Sequence, residues 1–214
     1  MDIRQNTLNI LKDIPPGIKV VAATKGRTVE EIDQAVQAGI KILGENYVQD
    51  AAQKARYFKG EVEMHCIGAL QSNKVKKAVQ IFSLIQSVDT IKLAEEINKE
   101  ATALGKKMPI LLEVNSANEE GKAGCALENV PVYAAQLLKL PNIVFKGLMT
   151  LGPEKDPRQA FREVRREYEK LHVKNYSVDV LSMGMSSSYK IAIEEGANMV
   201  RIGTAIFGPR TEGP

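Results

Sequence analysis

Along the chain, short runs of aliphatic and β-branched residues alternate with longer stretches whose apolar positions recur every three or four residues. The short runs are KVVAATK from Lys19, KILGE from Lys41, EMHCIG from Glu63, SLIQSV from Ser83, PILLEVN from Pro109, IVFKGLMT from Ile143, VDVLSMG from Val178 and MVRIG from Met199, and they predict eight strands. Between them, Val48, Ala51, Ala55 and Phe58 fall on one helical face, as do Ala94, Ile97, Ala101 and Leu104, and Phe161, Val164, Tyr168 and Leu171. Thr28 with Glu31 has capping-box spacing, Asp89 precedes a helix predicted from Thr90, and Gly39 and Gly105 stand where helices should stop. Strands alternating with helices require parallel pairing with crossovers, and eight of them favour a closed (β/α)8 TIM barrel over an open doubly wound sheet. An extra N-terminal helix, Asp2 to Leu11, is expected to plug or flank the barrel bottom.

A barrel gathers the C-terminal ends of its strands on one face, where active sites are built. The polar residues predicted there are Lys25, Glu45 with Asn46, Gly68, Asn115, Thr150, Ser182 with Ser186, and Arg201 with Gly203. Lys25 ends an apolar strand at the barrel mouth. An amine in a partly desolvated site loses its proton more easily, and the neutral amine attacks aldehydes to form a Schiff base; the alternative is a solvated strand-end lysine. The loops after strands seven and eight are the habitual phosphate site of such barrels. The first reads SMGMSSS, with Gly184 allowing an unusual turn and Ser186 to Ser188 offering hydroxyls at a helix start; the second reads RIGTAIFG, with Gly203 allowing close approach and Thr204 adding an N–H and a hydroxyl. These features fit an oxyanion, or else serve only to cap and turn the chain. Arg201, inside a strand, needs a partner: Glu113 or another strand-end carboxylate, or a polar ligand atom.

Composition narrows the field. The 214 residues suit one domain spanning 1–214, and 29 basic against 26 acidic residues leave +3, too little to argue for nucleic acid or an anionic membrane as a partner. No apolar run approaches the ~20 residues of a membrane helix, and the start Met-Asp-Ile-Arg-Gln lacks a signal-peptide core, so a cytoplasmic protein is expected. Cys66 and Cys125 have no CxxC spacing and read as buried small residues, while His65 and His172 are not spaced as metal ligands. No GxGxxG is present, and no lysine follows the glycine pairs at Walker spacing, which removes dinucleotide and nucleoside triphosphate readings.

Together, AATKGRT from Ala22, GENYVQD from Gly44, HCIGALQSNK from His65, GLMTLGP from Gly147, LSMGMS from Leu181 and VRIGTAIFG from Val200 resemble the YggS/PROSC family of pyridoxal 5′-phosphate homeostasis proteins over nearly the whole chain. The resemblance implies a barrel like the N-terminal domain of alanine racemase that binds pyridoxal 5′-phosphate as an aldimine on Lys25. It further implies that Ser186, Gly203 and Thr204 hold the phosphate, that Arg201 faces the pyridine nitrogen, and that Asn46 lies beside the ring. Family members typically carry an acidic residue shortly after the GMS turn, where this chain has Ser187, Ser188 and Tyr189. A monomeric carrier that buffers the cofactor, or passes it to pyridoxal-phosphate-dependent apoenzymes, is the expected function. An amino-acid racemase is the alternative, but racemisation needs a second base, which alanine racemases take from a C-terminal domain, and none follows the eighth strand. A Schiff-base aldolase would use the same lysine and phosphate pocket without a cofactor.

Overall fold

The computed structural model describes residues 2–119, 121–174 and 176–209. Its strands are β1 (Lys19–Ala23), β2 (Ile42–Glu45), β3 (Glu63–Cys66), β4 (Leu84–Val88), β5 (Met108–Glu113), β6 (Ile143–Thr150), β7 (Val180–Met183) and β8 (Met199–Ile202), all parallel and closed in chain order into a barrel. The helices are α1 (Ile3–Asp13), α2 (Val29–Gln37), α3 (Val48–Phe58), α4 (Val75–Ile81), α5 (Ile91–Ala103), α6 (Val130–Leu137), α7 (Arg158–Val173), α8 (Tyr189–Glu194) and α9 (Thr204–Phe207). This is the expected (β/α)8 barrel with its extra N-terminal helix.

Residues two apart on a strand share a face, so each strand sends alternate side chains inward. Val21, Ile42, Leu84, Leu111, Met149, Val180 and Met199 meet there as an apolar plug. One step further along their strands, Gln86, Glu113, Ser182 and Arg201 form a buried polar layer above it. The outward residues pack instead against the helices, in the larger core that includes Ile32, Ile97, Phe161 and Val164.

Several helix boundaries follow from local chemistry. Thr28 Oγ1 accepts from the Glu31 amide and Glu31 Oε2 from the Thr28 amide, closing the expected capping box. At α5 the cap is Thr90 itself, whose side chain accepts from the Leu93 amide, so the helix begins one residue later than predicted. Leu104 is this helix's C-cap and 41% exposed, leaving the predicted face to Ala94, Ile97 and Ala101. On α3 the buried row is Val48, Ala51, Lys54 and Phe58, with Lys54 displacing Ala55 from the place the apolar pattern assigned it.

Of the two positions expected for α1, plugging or flanking, the structure shows a helix that flanks the barrel. Its Asn6 amide donates to the Ile206 carbonyl of α9, while Asp13 at its other end accepts from Tyr189 Oη and Lys190 Nζ of α8. It also packs on α2. It therefore stands in the outer ring between α8 and α2 and does not plug the bottom. The physical reason is that α9 is a single turn, too short to cover β8 and β1, and the apolar Ile3 and Ile10 of α1 fill that gap.

Candidate functional site

At the C-terminal ends of the strands a cavity of about 550 Å³ opens, bounded by the ends of β1, β2, β3, β5 and β8 and by the loop after β7. Asn46, Ser186, Arg201, Gly203 and Thr204 all line it. Lys25 is placed differently. It lies just beyond β1, whose last residue Ala23 does line the cavity, and its ammonium rests 5.1 Å from the centre of the Tyr47 ring. Tyr47 in turn lines a neighbouring cavity of about 450 Å³ that shares Asn46 and Gly68 with the first, and Lys25 itself lines neither.

The loops after β7 and β8 are tied together by Ser186. Its Oγ accepts from the Gly203 amide at 3.1 Å and the Ala205 amide at 3.2 Å. With both lone pairs engaged, the hydroxyl proton is left to donate toward the cavity. The amides of Ser187 and Thr204 meet no acceptor among the described residues. Gly184 is required by its geometry: φ is +88°, and a Cβ there would come within 2.6 Å of the Ala192 methyl. Gly203 is different, because its φ is −114° and a Cβ would meet only Ala23 at ordinary contact distance. Its small size keeps the cavity wall low rather than enabling a turn. The helices that follow are a turn or two long, so these N–H groups, more than any helix dipole, offer an anion its contacts.

Where the resemblance would place an acid, the structure shows another use of the residues present. Ser188 does not cap α8; its Oγ accepts from the Met185 amide within the loop. Tyr189 points its hydroxyl away from the mouth to Asp13 Oδ2 at 2.6 Å.

Arg201 is buried, with 3% of its surface exposed, and donates to Ser182 Oγ at 2.5 Å and to the Thr150 carbonyl at 2.7 Å. The ion pair with Glu113 that its position suggested is not among the salt bridges of the described residues; its partners are neutral. Burial lowers its pKa to about 10, with Glu113 acting oppositely across space, so it stays protonated at neutral pH. Ser182 passes the contact on, donating to Gln86 Oε1 at 2.7 Å, and Gln86 Nε2 lies 3.0 Å from His65 Nδ1. Burial lowers His65 to about 4, so its ring is neutral and accepts that bond. The sequence reading missed Gln86; its signal is an amide at the inward position of SLIQSV. Glu113 lines the cavity floor, and burial pushes it up to about 7, Arg201 pulling the other way.

The other strand-end residues are spent elsewhere. Glu45 points out of the barrel to Lys54, Asn115 closes a turn with Glu119, and Thr150 Oγ1 donates to the Val114 carbonyl. Cys66 and Cys125 are buried free thiols, pushed up by desolvation to about 11 and about 12. No cluster of potential metal ligands and no helix long and apolar enough to cross a membrane occurs among the described residues.

The chain as a whole is similar to known proteins. Residues 2–211 match the family described as alanine racemase, N-terminal domain. A pyridoxal phosphate homeostasis protein of Aquifex aeolicus (strain VF5) is 40% identical over 90% of this chain and 87% of its own. One of Pasteurella multocida (strain Pm70) is 35% identical over 98% of each. Among solved structures, PipY of Synechococcus elongatus PCC7942 with PLP bound superposes with a TM-score of 0.89 at 31% identity, covering 96% of this chain and all of that one. The chain belongs to the family of pyridoxal phosphate homeostasis proteins, built on the alanine racemase N-terminal domain.

Proposed function

We propose that this chain holds pyridoxal 5′-phosphate on Lys25 in the cytoplasm, and stores it or delivers it to apoenzymes rather than turning over a substrate with it. The observation that carries the reading is the convergence of Asn46, Ser186, Arg201, Gly203 and Thr204 on one cavity that Ala23, two residues before Lys25, also lines. The residues fit the group: amides and hydroxyls without acceptors suit a phosphate, and a buried guanidinium suits a ring nitrogen that bears a lone pair. PipY, solved with PLP bound, supports the same choice.

In this reading the Ser186 hydroxyl and the amides of Ser187 and Thr204 orient the phosphate, Gly203, whose own amide is held by Ser186, lets it approach the wall, Asn46 lies beside the ring, and Arg201 faces its nitrogen. When bound, the cofactor supplies a reactive aldehyde and, if its ring nitrogen is protonated, an electron sink. Arg201, held charged and rigid by Ser182 and Thr150, disfavours that proton. Lys25 provides the covalent tether, and the polar layer beneath keeps Arg201 in place through Gln86 and His65.

Ser186→Ala is expected to weaken cofactor binding without unfolding the barrel. A hydrogen bond to a charged phosphate contributes ~1.5–3 kcal/mol, which corresponds to a roughly ten- to hundredfold loss if no water takes its place. A titration showing parent-like affinity would reduce Ser186 to a staple between the two loops.

The carrier reading also expects little or no racemisation of alanine by the loaded protein. Racemisation needs a base on each face of the α-carbon. Lys25 serves one, Tyr47 lies on the same side beneath it, and the Tyr189 hydroxyl is tied to Asp13. A missing acid/base typically forfeits ~10²–10⁴ in rate. Chiral chromatography of L-alanine incubated with the loaded protein, with free pyridoxal phosphate as control, tests this; formation of D-alanine at an enzyme-like turnover, abolished by Lys25→Ala, would establish the racemase alternative.

A further inference from the structure

Behind β1, on the far side of the barrel wall from the cavity, three buried polar side chains meet that the proposed chemistry does not use. Thr24 and Glu45 are fully buried, and Lys54 reaches them from α3 with 8% of its side chain exposed. Lys54 Nζ donates to the Thr24 carbonyl at 2.8 Å and to Glu45 Oε1, and Thr24 Oγ1 donates to that same carboxylate oxygen. Glu45 Oε2 has no hydrogen-bond partner among the described residues.

Such a pair is a poor way to stabilise a wall. Two charges are withdrawn from water, one carboxylate oxygen is left unsatisfied, and well-packed apolar residues commonly do as well or better. What the ammonium supplies that an apolar side chain cannot is its grip on one particular carbonyl. That carbonyl belongs to the peptide joining Thr24 to Lys25, and it also accepts from the Arg27 amide at 3.1 Å. The same stretch of chain that provides Glu45 continues into Asn46, which lines the cavity, and Tyr47, whose ring lies beside the Lys25 ammonium. Tyr47 is the N-cap of α3, and Lys54 sits two turns along its buried row. The contacts therefore close a loop from β1 through β2 and α3 back to the peptide that carries Lys25.

We infer that Lys54, held by Glu45, is a positioning residue for Lys25: it fixes the Thr24–Lys25 peptide from outside the barrel and so sets the direction in which the reactive amine leaves the strand. The inference rests on the reading that Lys25 captures the cofactor. Arg27 shares the carbonyl but donates from the backbone, so it cannot be what distinguishes this position by sequence. Lys54 can.

The test combines Lys54→Met with Glu45→Gln, which removes the pair without stranding either charge. Two quantities are compared with the parent: the rate at which pyridoxal 5′-phosphate and borohydride label the Lys25 peptide, and the equilibrium affinity for pyridoxine 5′-phosphate, an alcohol with the same ring and phosphate that cannot bond to an amine. Labelling is expected to slow by about tenfold or more, since a small misplacement of a reacting group is enough for that. Affinity for the alcohol is expected to change by less than about threefold, and Lys54→Arg to recover labelling, because the charge-assisted donor to Thr24 is retained. Labelling at the parent rate, or loss of both quantities in step, overturns the inference. Should the double variant not unfold cooperatively, Lys54→Gln is expected to show the same split at smaller size, and a parallel loss there is equally decisive. Reductive methylation of Lys25 by formaldehyde, with Lys190 as internal standard, needs no cofactor. A changed Lys25 rate in the double variant supports positioning even in a protein whose cofactor is trapped at another lysine, a result that would sink only the functional reading; an unchanged rate sinks the positioning role.

Discussion

Lys25→Ala is expected to leave a folded barrel that no longer shows a visible cofactor band and binds pyridoxal 5′-phosphate at least about a hundredfold more weakly. The fold should survive because Lys25 is only half-buried, lies beyond the end of β1, and contributes one cation–π contact to Tyr47, worth ~0.5–1 kcal/mol at a site of this exposure. The phosphate cradle is built from other loops and remains, so residual binding should persist and should still respond to Ser186→Ala. Affinity falls steeply because a covalent tether is lost along with the charge, and each 1.4 kcal/mol corresponds to a factor of ten. Absorbance titration measures the band, and thermal unfolding followed by circular dichroism checks the fold. Parent-like affinity and spectrum in the variant would show that Lys25 is not the tether.

The second large effect concerns pH. Glu113 lies in the polar layer with 5% of its surface exposed, and burial raises it from 4.5 to about 7. Between these values the native carboxyl keeps a proton that the unfolded chain has released, so its contribution to stability is present at low pH and is lost as pH rises toward 7. His65 works in the opposite sense. Burial depresses it from 6.5 to about 4, so the unfolded chain takes up a proton that the native ring refuses, and stability is lost as pH falls through that window. The two slopes oppose each other between pH 4.5 and 6.5, and the parent protein should be nearly flat there. Glu113→Gln removes one of them. Relative to the parent, the variant should gain about 3 kcal/mol between pH 4 and pH 8, because each tenfold difference in proton affinity between the folded and unfolded chain corresponds to about 1.4 kcal/mol. Urea denaturation at pH 4.5, 6.5 and 8 measures it without added cofactor. Parallel stability curves for the two proteins would mean that Glu113 titrates as an ordinary carboxylate.

Much of this architecture was legible because period-two and period-3.6 patterns report directly on which side of a wall a residue faces. The eight apolar runs are the eight strands, and the faces of α3 and α7 follow the pattern with one exception, Lys54. That exception is instructive. A charged residue in a buried row breaks the pattern, and only the three-dimensional meeting with Glu45 and Thr24 explains it. Gln86 was hidden for the same reason, since its partners His65 and Ser182 come from other strands. Ser186, Gly203 and Thr204 could be assembled from sequence because barrel topology alone brings the loops after β7 and β8 together. What topology does not specify is what each hydroxyl bonds to, so the tie from Ser186 to the next loop, and the turning of Tyr189 toward Asp13, emerge only from the structure. The placement of α1 likewise depends on the length of α9, which no periodicity encodes.

Lys25 is proposed as the residue on which the cofactor is held. Incubating the protein with pyridoxal 5′-phosphate, reducing with borohydride and mapping the modified peptide by mass spectrometry tests it most directly. The expected result is a reduced pyridoxyl-phosphate mass on the peptide containing Lys25, formed at one equivalent and suppressed by inorganic phosphate competing for the cradle. A label found mainly on Lys122, which lines an adjoining cavity, or on the exposed Lys190, each already paired with a carboxylate, would contradict it.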